Sequence, residues 1–277
     1  MMFGFEFLPQ DREEDITTLR AMRNGAQNYL KQKVDFVLIP ANVRKNAGVN
    51  AILSAYMLSL HFKDMFFVPT ISAAGLDKIQ ILSQILSLKY ANFTCVALIG
   101  GDDTNKVRNE KIDGIELIQM TRDALGSDIS IISGTPTDIN NPTTRERLVQ
   151  KLYLGVDRII TQPIFCPNQA KEFIRSFTEL KRQSKSSAKL SLGVFGIFSL
   201  QSVRAINEAH LGFEVPKSYI EQMQGEAGQE DSNTSLVAFK HLWENLQKIG
   251  QENDVYLYLS TPKHNDLRAY GVQVSEK

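Results

Sequence analysis

The sequence predicts an α/β protein that folds as a closed (β/α)8 TIM barrel. Eight short apolar runs rich in Val, Ile and Phe recur along the chain, and amphipathic helical segments separate most of them. The runs are continuously apolar, as expected of parallel strands buried on both faces. A length of 277 residues is common for such a barrel formed as one domain. We therefore expect residues 1–277 to form a single domain.

The predicted strands and helices alternate about eight times. The strands are the FGFEFLP run at 3–9 and the runs at 35–41, 65–72, 93–101, 128–135, 157–165, 190–198 and 254–261. Helical spacing of apolar residues predicts helices at 11–31, 76–88, 112–125, 143–154 and 168–180, and extra helices at 215–224 and 235–249 between strands seven and eight. The Met and Phe residues of 56–67 are predicted to belong to the core.

A doubly wound open sheet is the alternative fold. Such a sheet usually has fewer strands and a glycine-rich first turn, whereas the first turn here reads LPQDRE. The strand count therefore favours the closed barrel.

Composition excludes several classes of function. Lys plus Arg equals Asp plus Glu, at 31 each, so there is no basic footprint for nucleic acid or for an anionic membrane surface. The two cysteines form no CxxC pair, and the chain has neither a signal-peptide pattern nor an apolar stretch long enough to cross a membrane. The four histidines show no metal-binding spacing. We expect a cytoplasmic protein without a metal site.

Polar residues at the carboxyl ends of the strands are the candidate site residues, because active sites of such barrels lie at that end. Glu6 lies in an apolar strand, where an ionised carboxylate costs several kcal/mol unless it is paired. It is interpreted either as one partner of a structural ion pair or as a catalytic acid with a raised pKa. Gln162, within IITQPIF, needs a backbone group or a ligand to satisfy its amide.

Several of these segments carry a family resemblance. In chain order, FEFLP, VALIGGD, LGVDRIITQPIF and VPKSYIEQM resemble the FEFFPP, ALRGD, AGAxxxITQxFF and IPxxxxxxM segments of methylenetetrahydrofolate reductases, which are flavin-bearing (β/α)8 barrels. The most specific element is an N-terminal FEF followed by ITQ about 155 residues later. The resemblance spans nearly the whole chain.

The resemblance implies a folate site with three named residues. Glu6 corresponds to the general acid that protonates the bridging or imine nitrogen of the folate and so produces the iminium that accepts hydride. Asp102 corresponds to an aspartate that tunes the flavin and holds the pterin ring. Gln162 corresponds to a glutamine that hydrogen-bonds the pterin. The implied activity is that of an oxidoreductase that converts 5,10-methylenetetrahydrofolate to 5-methyltetrahydrofolate.

The resemblance also implies FAD as cofactor, with NADH or another reduced electron donor. Lys151, eleven positions before Gln162, matches a lysine of the flavin-binding set. Asp102 and the strand-end residues Thr70, Gly134 and Thr135 are the other candidate contacts with the cofactor.

Other positions depart from the family pattern. Gly100 replaces the Arg of ALRGD, TPTDI at 135–139 replaces YPExH, and TISA at 70–73 replaces HLTC. Three hypotheses follow: a flavin-dependent reductase, supplied by NADH or by an electron-donating partner protein; a flavin-free reductase that uses a nicotinamide directly; or a non-catalytic folate-binding or partner barrel. A homo-oligomer is compatible with each.

Overall fold

A computed structural model describes residues 3–41, 47–100, 112–209, 211–224, 232–261 and 265–272. Eight parallel strands pair in chain order, and β8 pairs with β1, so the sheet closes into a barrel. This confirms the predicted (β/α)8 fold. The strands are β1 Phe3–Glu6, β2 Val34–Ile39, β3 Phe67–Ser72, β4 Cys95–Ile99, β5 Ser130–Thr135, β6 Arg158–Pro163, β7 Lys189–Phe195 and β8 Tyr256–Ser260.

Helices surround the barrel. Within the described ranges they are α1 Arg12–Asn28, α2 Ala51–His61, α3 Lys78–Tyr90, α4 Gly114–Leu125, α5 Pro142–Tyr153, α6 Pro167–Gln183, α7 Leu200–Glu208, α8 Lys217–Met223 and α9 Ser232–Asn253, with a 3₁₀ turn at Leu267–Tyr270. The helices α7, α8 and α9 all lie between β7 and β8. None of the described helices is long and apolar enough to cross a membrane.

Two helices, α2 and α7, were not predicted. The outward face of α2 is as apolar as its buried face, so its sequence shows no amphipathic period. The prediction that the Met and Phe residues of 56–67 belong to the core is wrong in part. Phe62, Met65 and Phe67 are buried, but Phe66 is 45% exposed, because it lies directly before β3 and lines a cavity at the amino ends of the strands.

Capping residues fix where the helices begin. Asp11 accepts hydrogen bonds from the first-turn amides of α1, and Asp77 forms a reciprocal capping box with Gln80 at the start of α3. Asn141 caps α5, and Pro142 occupies its first position, where no amide donor is needed. Each of these helices therefore begins at the barrel face where the preceding strand ends, and that face carries the candidate site.

Side chains of β1 alternate between the helix layer and the barrel interior. Phe3 packs edge-on against Trp243 of α9, and Phe5 packs against Tyr270 of the 3₁₀ turn. Gly4 and Glu6, which have the opposite parity, therefore face the interior.

The barrel interior has its own apolar cluster, and Gly4 makes room for it. Phe36 and Tyr258 stack with their ring centroids 6.1 Å apart. A Cβ on Gly4 would lie 2.2 Å from the Phe36 ring, so only glycine fits there. The cluster consists of Phe36, Leu38, Val68, Cys95, Ala97, Ile132, Ile160 and Tyr258. These side chains fill the barrel below Glu6 and leave the carboxyl end of the strands for the site.

Candidate active site

Glu6 is the last residue of β1 and lies at the carboxyl end of the barrel. Its backbone pairs with Leu38 of β2, and it is partly exposed, while Phe5 and Phe7 beside it are fully buried. The hydroxyl of Tyr258, on β8, donates a hydrogen bond to Oε2 of Glu6 at 3.3 Å. The carboxyl group is therefore held on the inner wall of the barrel and can still be reached from its mouth.

Burial raises the pKa of Glu6 to about 7, although the hydrogen bond from Tyr258 acts in the opposite direction. Burial and the nearby Glu6 charge also raise the pKa of Tyr258 and of Tyr270. No Lys or Arg in the described part of the chain forms a salt bridge with Glu6. The geometry therefore favours a carboxyl group that holds a proton near neutral pH over a structural ion pair.

The two tyrosines near Glu6 were missed by the sequence reasoning. Tyr258 lies in the apolar run YLYLS, where an aromatic residue gives no sign of a polar contact. Tyr258 is two residues after Tyr256, so both rings lie on the inner surface of the strand. This alternation was the sequence signal that could have placed Tyr258 inside the barrel. Tyr270 follows the last strand, in a segment for which no element was predicted.

Gln162 lies near the end of β6, and its side chain reaches the loop that follows α7. Nε2 of Gln162 donates to the carbonyl oxygen of Leu211 at 3.4 Å. Gly212, with φ at +81°, approaches so closely that a Cβ there would lie 2.8 Å from the same nitrogen. The strand register shifts between Ile160 and Pro163, so the strand bends at this amide. The backbone group that the sequence required is thus present, and it fixes the orientation of the amide.

Thr70 lies on the inner surface of β3, two residues beyond Val68 of the interior cluster. Its hydroxyl is buried and has no hydrogen-bond partner among the described residues. Buried hydroxyl groups in folded proteins nearly always have a partner. A polar atom of a bound molecule that reached this buried position would supply the partner.

The two candidate site residues on β5, Gly134 and Thr135, face opposite sides of the strand. Gly134 has the inward parity of Ile132, whereas Thr135 has the opposite parity and is buried. The carbonyl oxygen of Gly134 accepts a hydrogen bond from Nζ of Lys151 at 2.5 Å. The structure therefore joins Lys151 to the end of β5 and places Thr135 on the side of the helices.

Lys151 also borders a recess between α4 and α5, a cavity of about 950 Å³. Burial and, to a smaller extent, the nearby Arg147 together lower the pKa of Lys151 to about 8, although Asp113 acts in the opposite direction. Arg147 forms a 2.6 Å ion pair with Asp113, which caps α4. The recess is thus lined by two cations and two carboxylates, and the second carboxylate, Glu116, is paired with Lys78 of α3.

Gly100 closes one side of this recess. A Cβ on Gly100 would lie 2.4 Å from the backbone nitrogen of Gly114, so the chain after β4 touches the start of α4. An arginine at this position requires the backbone to move, which explains its absence from the ALRGD-like segment. Asp102, predicted to contact both folate and cofactor, lies outside the described residues.

Glu6, Thr70, Gly134 and Gln162 all lie at one end of the barrel. Together they offer a carboxyl group, a hydroxyl group, a carbonyl group and an amide, which suit a flat ring edged with donors and acceptors. Of these four groups, the carboxyl group of Glu6 is the one whose pKa is suited to giving and taking a proton near neutrality. No group of His, Cys, Asp and Glu in the described ranges is arranged to hold a metal ion.

Comparison with known proteins supports the fold. No protein-family model and no curated protein sequence matches the chain. An uncharacterized protein from Clostridium thermocellum that binds two copies of 5-methyl-5,6,7,8-tetrahydrofolic acid has a similar structure, with a TM-score of 0.69 and 11% identity over 98% of this chain and 92% of that one. At this identity the likeness shows the fold alone.

Two further structures resemble the chain more weakly. A 2,3-dimethylmalate lyase has a TM-score of 0.44 and 14% identity over 70% of this chain and 67% of that one. DmoA from Hyphomicrobium sulfonivorans has a TM-score of 0.46 and 9% identity over 96% and 84%. Likenesses at this level carry no argument about function.

Proposed function

We propose that the chain binds a reduced folate at the mouth of the barrel and is an oxidoreductase of the methylenetetrahydrofolate reductase type. The observation that carries this proposal is Glu6. It is a carboxyl group with a pKa of about 7, it lies on the inner wall at the carboxyl end of β1, and Tyr258 holds it.

Folate as the ligand has support from two directions. The motifs around Glu6 and Gln162 resemble those of the reductase family, and a protein of similar fold binds 5-methyl-5,6,7,8-tetrahydrofolic acid. The pterin of a folate is a flat ring with hydrogen-bond donors and acceptors on its edge. The amide of Gln162 and the hydroxyl group of Thr70, which has no partner among the described residues, are suited to that edge.

Glu6 supplies the proton in the proposed reaction. The protonated carboxyl group donates to the bridging nitrogen of methylenetetrahydrofolate, and the bond from that nitrogen to the methylene carbon breaks. The other nitrogen then forms an iminium with this carbon, which accepts hydride and becomes the methyl group. The hydroxyl group of Tyr258 donates to the carboxylate that remains, and so stabilises the charge that forms on Glu6.

In this proposal a flavin dinucleotide would lie at the recess of about 950 Å³ beside Lys151. Lys151 would hold its diphosphate, because Arg147, the other lining cation, is paired with Asp113, and the carbonyl oxygen of Gly134 fixes the position of the Lys151 ammonium group. A flavin bound here would supply the hydride. NADH or another reduced donor would supply the electrons.

A second candidate function is a folate-binding barrel without redox chemistry. It is favoured by the close contact between Gly100 and Gly114, which leaves no room for the arginine that the resembling family has at that position. The segments at 135–139 and 70–73 also lack the family's flavin contacts. A folate-binding barrel of this kind would have the same folate site as the proposed reductase but would not convert the bound folate to a product.

Calorimetric titration of the full chain with 5-methyltetrahydrofolate tests the shared claim. We expect the wild type to bind. Gln162→Glu should weaken binding at least tenfold, because it removes the amide donor and adds a carboxylate beside the pterin. Glu252→Gln, a substitution of an exposed residue on α9, is the matched control and should leave affinity unchanged. A wild type that fails to bind, or a Gln162→Glu variant of unchanged affinity, would contradict the proposed folate site.

A further inference from the structure

The outward faces of α2 and α3 are apolar. We define the α2–α3 surface by six side chains: Leu53, Tyr56 and Leu60 on α2, and Ile79, Leu86 and Tyr90 on α3. The residues of the set on α2 are three and four positions apart, and those of the set on α3 are seven and four positions apart. These spacings place each set on one side of its helix, opposite the buried residues. The two helices are neighbours in the ring and contact each other, so the two sets form one surface.

The α2–α3 surface is large. Tyr90 is 93% exposed, Ile79 is 80% exposed, and Leu53 and Leu86 are each 57% exposed. Taking about 200 Å² for a large apolar side chain, the six residues expose on the order of 700 Å². The largest apolar patch on a typical monomer covers about 300–600 Å². An interface of standard size buries about 800 Å² on each partner, so the surface has the area that a stable dimer needs.

The α2–α3 surface also has few charged neighbours. No Asp, Glu, Lys or Arg occurs in 51–60, and Lys89 is the one charged residue in 79–90, whereas α6 of the same ring carries six charged residues. Lys78, at the start of α3, is already paired with Glu116 of α4 at 3.2 Å. A helix that faces water in a barrel of this kind is expected to be polar on its outer side.

We infer that the α2–α3 surface is the interface with a second copy of this chain. A two-fold interface places the same patch on both partners, and an uncharged apolar patch meets its own copy without like-charge repulsion. Charge depletion at the centre is typical of permanent interfaces. A lipid surface fits less well, because helices that lie on membranes carry Lys and Arg along their polar face. The inference is independent of the proposed folate chemistry.

Light scattering of the full chain after size-exclusion chromatography tests the inference. We expect a mass of twice the 31.2 kDa of one chain at micromolar concentration. The double substitution Ile79→Glu with Leu86→Glu should reduce the mass to that of one chain. Val237→Glu, at a 66% exposed apolar residue of α9, is the matched control and should remain a dimer. Circular dichroism checks that each variant is folded.

Leu53→Glu, on the other helix, provides a second variant that should also be a monomer. A monomeric wild type would overturn the inference, and so would folded variants on α2 and α3 that remain dimers. A monomeric wild type that sediments with phosphatidylcholine vesicles would also overturn it and would assign the surface to lipid.

Discussion

The substitution Glu6→Gln should change how the stability of the protein depends on pH. The pKa of Glu6 is about 7 in the folded chain, against 4.5 for an unperturbed glutamate. Between these values the folded state holds a proton that the unfolded state has lost, so stability falls as pH rises through this window. At about 1.4 kcal/mol per pKa unit, the loss attributable to Glu6 is about 3 kcal/mol and is complete above pH 7.

Glutamine cannot titrate, so the variant should lack this fall. The free energy of unfolding of Glu6→Gln relative to wild type should increase by about 3 kcal/mol between pH 4.5 and pH 8. Urea unfolding followed by fluorescence measures it, because the single tryptophan, Trp243, is buried against Phe3. A difference that stays constant across this range would refute the claim that the carboxyl group of Glu6 holds a proton near neutral pH in the folded chain.

Tyr258→Phe refines the same measurement. The hydrogen bond from Tyr258 lowers the pKa of Glu6, so its removal should raise that pKa and extend the pH-dependent loss of stability to higher pH. If the pH range over which stability falls is the same in Tyr258→Phe as in the wild type, Tyr258 makes no contact with the carboxylate.

Two further substitutions test the barrel interior and the recess beside α5. Gly4→Ala should destabilise the fold by about 1–3 kcal/mol in urea unfolding, because its Cβ would lie 2.2 Å from the Phe36 ring. Gly48→Ala, where a Cβ meets nothing within 4 Å, is the control, and equal effects of the two would contradict the packing. Lys151→Met should remove a rise in stability between about pH 8 and pH 10.5, where the folded lysine has lost a proton that the unfolded lysine keeps. The same variant should weaken FAD binding, measured by quenching of flavin fluorescence. An unchanged affinity for FAD would contradict the proposed contact between Lys151 and the cofactor.

The barrel was predictable because each strand is buried on both faces and is therefore a continuous apolar run. The helix α2 was not, because its outer side is also apolar and a helical period requires contrast between two faces. The feature that hid α2 from the periodicity argument is the one that makes its outer face a candidate interface.

The positions of Glu6 and Gln162 at the strand ends were predictable, because a polar side chain at the end of an apolar run is conspicuous. Their surroundings were not. The contact of Tyr258 with Glu6 joins residues 252 positions apart, and the approach of Gly212 to Gln162 depends on a loop with a positive φ. Such contacts arise from barrel closure, which no local pattern encodes.

Formation of 5-methyltetrahydrofolate from methylenetetrahydrofolate tests the central claim most directly. The full chain and its Glu6→Gln variant would be compared by chromatography of the product, with FAD and NADH or with chemically reduced flavin. We predict product with the wild type and a loss of at least about 100-fold in the variant, as expected when a general acid is removed, with unchanged affinity for 5-methyltetrahydrofolate. A variant that turns over as fast as the wild type would contradict the role of Glu6, and a wild type that binds folate without forming product would assign the chain to the folate-binding barrels.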